Sequence, residues 1–350
     1  MSHLPQANQT AVSAGAARAS GTARAAFPGD GKRTVLVTGA AGLIGLPMVR
    51  LLRTRGFRVA AVDDGSAGTL CRLDQFAAGD GVLAHRLDIR CPAGLRRLIA
   101  EVQPWAVVHL AARHFIPDCE RSPGTTLAVN AGGTLNLLDA CAIHPPARLL
   151  FASTADVYAA NANPHREDDA VGPEGVYGWS KLLGEWLLRD QAHRLPASGI
   201  VIARLFNVYG PGDPHAHLLP EILRQARRGP VLHLGDMSAT RDFVYVDDAA
   251  EALVALLLTA RPGVFNVGTG TSARAHDLVG LVAELTGRDL EIRLDRRRLR
   301  AQRRPKSCAV PDRLARVLPW WPRTSLREGI RRTIAADLAS SQAESAVLAS

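Results

Sequence analysis

The chain has 350 residues, enough for one large core or two modest ones. Its 47% hydrophobic and 21% charged residues exclude a disordered or fibrous protein, and no apolar run approaches the roughly 20 residues that a membrane-spanning helix needs. The formal net charge is +9, but its location matters more than its sum.

Residues 1–32 are rich in Ala, Ser and Gly, lack the continuous apolar stretch of a secretion signal, and are expected to form a disordered tail. A β-type run at 33–38 then feeds Thr38-Gly39-Ala40-Ala41-Gly42-Leu43-Ile44-Gly45, after which a helical pattern covers 43–54. Glycines at this spacing let backbone approach a pyrophosphate, while Leu43, Ile44 and Gly45 open a helix whose positive end faces the anion. A tight turn with no ligand would look the same, so the rest of the chain has to decide. The run at 57–62 ends in Val62-Asp63-Asp64, 18 residues past Gly45. Carboxylates there either accept from an adenosine ribose and repel a 2′-phosphate, favouring NAD over NADP, or simply open a turn.

Further β-type runs at 82–87, 105–110, 148–153 and 200–206 alternate with helical stretches at 93–101, 125–142 and 178–190. Strands alternating with helices predict an α/β protein with a doubly wound parallel sheet. Asp88-Ile89 and Leu110-Ala111-Ala112 follow strand ends and should open onto the same crevice, whereas His109 reads as a packed core residue. Tyr177 and Lys181 form a Tyr-x-x-x-Lys pair, which i, i+4 spacing places on one helix face. A nearby ammonium stabilises a phenolate that would be only ~0.1% populated at pH 7.

After Phe206 the pattern changes. A Gly/Pro-rich stretch at 207–213 leads to a helix at 216–228 and strand signals near 231–234 and 243–246. A helix at 247–260 and a strand at 264–267 return to the main sheet, and a last helix covers 325–337. The expected division is a cofactor-binding domain at 33–206 with 246–270, a smaller substrate lobe at 207–245 and 271–337, and a flexible tail at 338–350. Between Arg288 and Arg332 fifteen Arg or Lys face five Asp or Glu, an excess of ten, so the remainder of the chain is near neutral. That segment lacks interleaved aromatics and any helix-turn-helix pattern, so phosphate contacts and solvated faces are favoured over a nucleic-acid partner. Cys71, Cys91, Cys119, Cys141 and Cys308 stand singly, which predicts reduced thiols in the cytoplasm and no zinc site. His215 and His217 keep no metal-ligand spacing with a third group and read as loop residues.

These motifs together resemble the extended short-chain dehydrogenase/reductase superfamily, in particular its NAD-dependent nucleotide-sugar epimerase/dehydratase group. The matching residues run from Thr38 to about Arg332. Beside the glycine turn, Asp63 and the Tyr177/Lys181 pair they include Val129-Asn130, Ser153-Thr154-Ala155-Asp156-Val157-Tyr158, Arg204-Leu205-Phe206-Asn207, Arg241-Asp242-Phe243 and Phe265-Asn266-Val267-Gly268. The resemblance implies a Rossmann-type cofactor domain with a C-terminal substrate-binding lobe, NAD as cofactor, Asn130 among the cofactor-binding positions, and a nucleotide-diphosphate sugar as substrate. It also implies that Thr154 bonds the reacting hydroxyl, Tyr177 is the general base and acid, and Lys181 holds the nicotinamide ribose and tunes Tyr177. Asn207, Arg241 and Arg304 match substrate-phosphate contacts.

Such enzymes oxidise the sugar, usually at C4, and differ in the fate of the resulting ketone. The 4,6-dehydratases carry an Asp-Glu pair after the Thr, and UDP-glucuronate decarboxylases typically Ser-Glu; this chain has Ala155-Asp156. Epimerisation at C4 remains by subtraction, with decarboxylation, dehydration, ketoreduction or a non-catalytic NAD-binding regulator as alternatives. Ala159, Lys306-Ser307 after Arg304-Pro305, and the stretch 161–165 depart from the common pattern and suggest a specialised substrate. A homodimer is expected through a four-helix bundle of the 125–142 and 178–190 helices, in which Leu135, Leu138, Trp186 and Leu187 would line either that face or the monomer core.

Overall fold

The computed structural model describes residues 31–67, 70–76, 81–195, 199–259, 261–299, 306–318 and 321–348. In the first part of the chain, strands β1 (Thr34–Thr38), β2 (Arg58–Asp63), β3 (Val82–Arg86), β4 (Ala106–His109), β5 (Arg148–Thr154) and β6 (Gly199–Leu205) alternate with helices. These are α1 (Gly45–Thr54), α2 (Pro92–Val102), α3 (Ile116–Arg121), α4 (Pro123–Leu127), α5 (Gly133–Cys141) and α6 (Val176–Asp190). With a later strand at Gly263–Val267, they form one parallel sheet in the order β3-β2-β1-β4-β5-β6-(263–267).

The strands read as unbroken apolar runs because both faces of the sheet are covered. On one face Val35, Val37, Val108 and Leu150 pack with Met48, Val49 and Leu52 of α1. On the other, Leu36, Val107, Leu149 and Phe151 meet Leu95 and Ile99 of α2, Leu137 and Leu138 of α5, and Leu188 of α6. Strand order reverses between β1 and β4, where Thr38 lies opposite His109. A crevice therefore opens at their carboxyl ends, where ligands bind in open α/β sheets.

The expected helix at 125–142 is interrupted. Pro123 disfavours helical geometry at the residue before it, and Ser122 (φ −136°, ψ 67°) leaves helical geometry between α3 and α4, just before that span. One π-helical turn over Ala128–Gly132 then joins α4 to α5. Leu138 is 2% exposed and belongs to the monomer core, and Leu187 packs against the same cluster. The outward row is instead Trp179 (55% exposed), Leu183 (41%) and Trp186 (56%), with Leu127 and Leu135 on the neighbouring helices.

Beyond β6 the chain forms β7 (Asn207–Tyr209), α7 (Leu218–Arg228), β8 (Val231–Leu234), β9 (Thr240–Tyr245), α8 (Val246–Thr259), the returning strand β10 (Gly263–Val267), β11 (Ser272–Arg274) and α9 (Ala275–Thr286). Then come β12 (Glu291–Leu294), β13 (Lys306–Ser307), α10 (Asp312–Val317) and α11 (Leu326–Leu348). Strands β7, β11 and β13 pair with β9, and β12 with β8. Leu219, Ile222, Leu232, Tyr245, Leu278 and Ile330 form the core of this region. Two expectations change here. Leu314 of α10 and Leu318 just after it pack with α1 and α8 against the main sheet, not in the lobe. Helix α11 also extends through most of the segment expected as a flexible tail.

Candidate active site

The glycine turn is held by main-chain bonds. Gly39 adopts φ +70°, and a Cβ there would lie 2.7 Å from the Ala111 nitrogen, so turn and β4 loop touch. A Cβ on Gly45 would sit 2.6 Å from the Ala40 carbonyl oxygen, which fixes how closely α1 packs on the turn. Gly42 has only the Gly39 oxygen near, at 3.2 Å, leaving its outer side clear for a ligand. Leu43 and Ile44 pack towards the lobe core. Asp63 accepts from the backbone N–H of Ala41 (3.0 Å) and of Gly65 (2.9 Å). Burial raises its pKa, outweighing those two bonds. Asp64 accepts from Ser66 in the following turn.

Asp88 is paired with Arg90 at 2.6 Å, and hydrogen bonds from Arg90 hold its carboxyl below the usual range. Ile89 is buried, and a Cβ on Gly133 would collide with its Cδ1. The backbone of Leu110 donates to the Thr38 carbonyl (3.1 Å), and that of Ala111 to Thr38 Oγ1 (3.3 Å), so the loop through Ala112 lies against β1. As expected, His109 is buried, between Thr38 Oγ1 (2.7 Å) and Thr134 Oγ1 (3.0 Å). Burial first, and Lys181 second, push it down to about 3, so it is neutral.

The end of β5 and the start of α6 bring together the candidate catalytic side chains. Thr154 caps a short 3-10 turn at Ala155–Val157, accepting from Asp156 N–H at 3.2 Å. Tyr177 opens α6 with its phenol near the Thr154 side chain. Burial pushes that phenol well above its ordinary value and the Asp156 charge adds to the rise, while the Thr154 hydroxyl opposes both. Lys181 is 2% exposed and places Nζ 4.2 Å from the centre of the Phe151 ring. Burial lowers it to about 7, against the pull of Glu185. Spacing puts Tyr177 and Lys181 on one helix face, and the ammonium lies over the Phe151 ring and acts on His109.

Residues beyond the three candidate catalytic groups hold these groups in place. Asn130, in the π-helical turn, accepts from Arg113 N–H (2.7 Å) and donates to Arg113 C=O and Ser180 Oγ (both 2.8 Å). Both of its amide hydrogens are thus engaged, and Asn130 ties the β4 loop to the catalytic helix. Ser180 in turn donates to the Tyr177 carbonyl at 2.7 Å. Beneath them Glu185 accepts from Ser153 (2.5 Å) and from Arg204 through two nitrogens (2.9 and 2.8 Å). Arg204 also donates to the Glu167 carbonyl and lies over Tyr158, whose hydroxyl donates to Asn266 (2.6 Å). Glu185 belongs to no motif in the sequence, although its position four residues past Lys181 puts it on the same inward face.

On the lobe side, Asn207 is exposed on β7, and Arg241 is half-buried on β9 with Nη1 donating to the Thr240 carbonyl (2.8 Å). Arg304 lies outside the described residues. Asp242 joins the lobe segments, accepting from Thr269, Gly270 and Ala309 N–H groups at 2.8–3.1 Å. Many arginines of the basic segment are tied locally: Arg293 to Glu291, Arg297 to Asp295, Arg298 to Glu221 and Asp295, and both Arg331 and Arg332 to Glu328. His215 and His217 pack with His114 and Phe115 as rings. Among the described residues no group of His, Cys, Asp or Glu is arranged to hold a metal ion.

A parallel sheet whose glycine turn stands at the switch point, with Thr, Tyr and Lys at the end of β5 and start of α6, defines a dinucleotide-dependent enzyme of the short-chain dehydrogenase/reductase class. The profile of the NAD dependent epimerase/dehydratase family matches residues 35–268, and the chain belongs to that family. It is 34% identical over 310 residues to UDP-glucose 4-epimerase of Mycolicibacterium smegmatis, covering 85% of this chain and 96% of that one. GDP-6-deoxy-D-mannose reductase of Pseudomonas aeruginosa is 32% identical over 71% of this chain and 84% of its own. The crystal structure of Thermus thermophilus UDP-glucose 4-epimerase in complex with NAD superposes with a TM-score of 0.78 at 31% identity, covering 87% of this chain and 98% of that one. The protein is therefore an NAD-dependent enzyme acting on nucleotide sugars. Its turn fits the cofactor: Gly42 has a clear outer side, and the Asp63 carboxylate is tied to the turn at Ala41.

Proposed function

We propose that the enzyme inverts C4 of a nucleotide-diphosphate hexose through a transient 4-keto sugar. The observation that carries this reading is the Thr154–Tyr177 hydroxyl pair with the methyl group of Ala155 beside it, where an acid–base pair for elimination would need a carboxyl. Thr154 bonds the C4 hydroxyl and Tyr177 accepts its proton, then returns it to the same oxygen after the ketone has turned over. NAD, when bound, would supply the hydride acceptor and donor at C4. Gly39, Gly42, Leu43, Ile44, Gly45, Asp63, Asp64 and the 110–112 loop would hold the cofactor, with Asp88 and Ile89 at the rim and Asn130 fixing that loop. Lys181 would hold its ribose. Asn207, Arg241 and Arg304 would take the diphosphate, the arginines because a guanidinium fork reaches two oxygens at once.

The exposed Trp179, Leu183 and Trp186 row supports a homodimer through α5 and α6, since monomers rarely leave such a contiguous patch open. Exposed free thiols at Cys71 and Cys91 suit a reducing compartment, the cytoplasm. The test is NMR of the NAD-loaded protein with neutral and acidic UDP-, GDP- and dTDP-sugars. The C4 epimer forming without net NADH is expected; a stable 4-keto product or stoichiometric NADH would assign another reaction.

A further inference from the structure

The connection between β7 and α7, residues 210–217, starts and ends in the lobe but touches the cofactor-binding part of the chain twice. Its two ends are well seated. Tyr209 and Leu219 belong to the lobe core, and Leu43 and Ile44 of the glycine turn pack against that same cluster. The first touch is with the connection after β2, where a 3-10 turn at Leu70–Gln75 is fixed to the main core by Leu73. From this turn Arg72 Nη1 donates to the Gly212 carbonyl at 2.5 Å. Gly212 takes φ +80°, a conformation that favours glycine, and a Cβ there would lie 3.1 Å from the same nitrogen. The second touch is with the loop after β4. His114 lies edge-on to His215 (4.7 Å between centroids) and stacked on His217 (5.4 Å), while Phe115 stacks on His215 (5.5 Å) and meets His217 edge-on (5.3 Å).

Strands β2 and β4 flank β1 in the sheet. A segment that touches the connections after both therefore passes over the carboxyl end of β1, where the glycine turn stands. Within the segment Asp213 accepts from the His215 N–H (3.0 Å) and bonds His217 Nδ1 (2.7 Å), which makes it a stiff unit. What ties it to the cofactor side is one charged hydrogen bond and a set of ring contacts, weak beside the buried apolar cluster at its ends.

We propose that residues 210–217 are a strap over the dinucleotide crevice, latched by Arg72 on one side and by His114 and Phe115 on the other, and that NAD enters and leaves only when this latch opens. The strap depends on NAD lying along the glycine turn and not on the fate of the sugar. Its imidazoles make the latch sensitive to acid. The charged groups around them are Arg113 of the β4 loop, Asp118 of α3, paired with Arg121 at 2.7 Å, and Asp213 of the strap itself. Burial first, then repulsion from His217 and His215, holds His114 down to about 4, and burial lowers His215 as well. With the closed value below the ordinary 6.5, the closed latch binds fewer protons than the open one. It is firm at neutral pH and weakens as pH falls from about 6.5 towards 4.

The test follows fluorescent NADH by stopped flow, both as it binds the cofactor-depleted protein and as excess NAD+ displaces it. Arg72→Ala and Phe115→Ala loosen opposite ends of the latch, and each is first checked for an unaltered thermal melt. At pH 7.5 Arg72→Ala should speed release about tenfold, the low end for a hydrogen bond from a charged group, and Phe115→Ala should speed it less. Both should speed binding too and leave affinity nearly unchanged, because an open latch eases passage in both directions. Faster release at an unchanged binding rate would make Arg72 a direct cofactor contact and overturn the strap. Wild-type rates in both variants would overturn it as well. Wild-type release should quicken about tenfold from pH 7.5 to 5.5, as an imidazole held near 4 when closed regains its ordinary value when open. His114→Phe keeps a ring in the stack and should remove most of that dependence. Undiminished acid acceleration in His114→Phe would overturn the histidine latch.

Discussion

The cofactor side of the crevice and the reaction side are built from different materials. The first is backbone: Gly39, Gly42, Gly45, Ala111 and Ala112 matter for the side chains they lack, and Asp63 is anchored by two main-chain N–H groups. The proposed reaction side is side chain: Tyr177, Lys181 and Glu185 on α6 meet Arg204 of β6, with Asn130 tying in the β4 loop and Asn266 the chain at His165. A backbone cradle can be specified locally by spacing. A cluster of charges and rings has to be assembled by the fold, and its energetics depend on every partner being present.

The sharpest way to break this contrast is Tyr177→Phe. Removing one hydroxyl should lower turnover by about 10²- to 10⁴-fold, the range for a lost acid–base group, while leaving bound NAD content unchanged. Retained activity would remove Tyr177 from the chemistry. Next comes Glu185→Leu, which strands the fully buried Arg204 and Ser153. Losing one member of a buried ion pair costs about 3–5 kcal/mol, read as a lower denaturant midpoint. A change within error would mean that this network does not hold the reaction side together.

Lys181 gives a pH test. Its folded pKa, lowered by burial to about 7, lies below the unfolded value near 10.5, so between those two values the unfolded chain binds more protons. Stability from this group therefore rises with pH across that window. From pH 7.5 to 9.5 the wild type should gain up to about 2 kcal/mol relative to Lys181→Met, measured by denaturant unfolding at both pH values. Parallel behaviour would mean that Lys181 stays charged in the fold. The smallest effect belongs to the cofactor side: Asp63→Ala should shift the NAD-to-NADP affinity ratio about tenfold towards NADP, the roughly 1.4 kcal/mol of one altered charge contact. An unchanged ratio, by titration, would reduce Asp63 to a brace for Ala41 and Gly65.

This contrast also explains what is legible in the sequence. The main-sheet strands, buried on both faces, show as continuous apolar runs, and Thr38–Gly45 marks its own turn. The helix at 125–142 reads as one element because a single periodic pattern hides the π-helical turn that presents Asn130. Leu135 and Leu138 are three residues apart on one helix, and only the packed fold shows that Leu138 is core and Leu135 faces outward. The ring cluster is illegible because His114 is a hundred residues from its partners. Spacing suggests Tyr177 and Lys181 as a pair, but not that burial turns the ammonium towards Phe151.

Central to the proposed mechanism is that one hydrogen leaves C4 and returns to the same carbon. The NAD-loaded enzyme should therefore be given UDP-glucuronate and UDP-glucose deuterated at C4 and the epimeric products examined by NMR. Hydride return predicts deuterium retained at C4 of the inverted sugar, with none lost to water. Label washed into solvent, or inversion with a proton at C4, would contradict it.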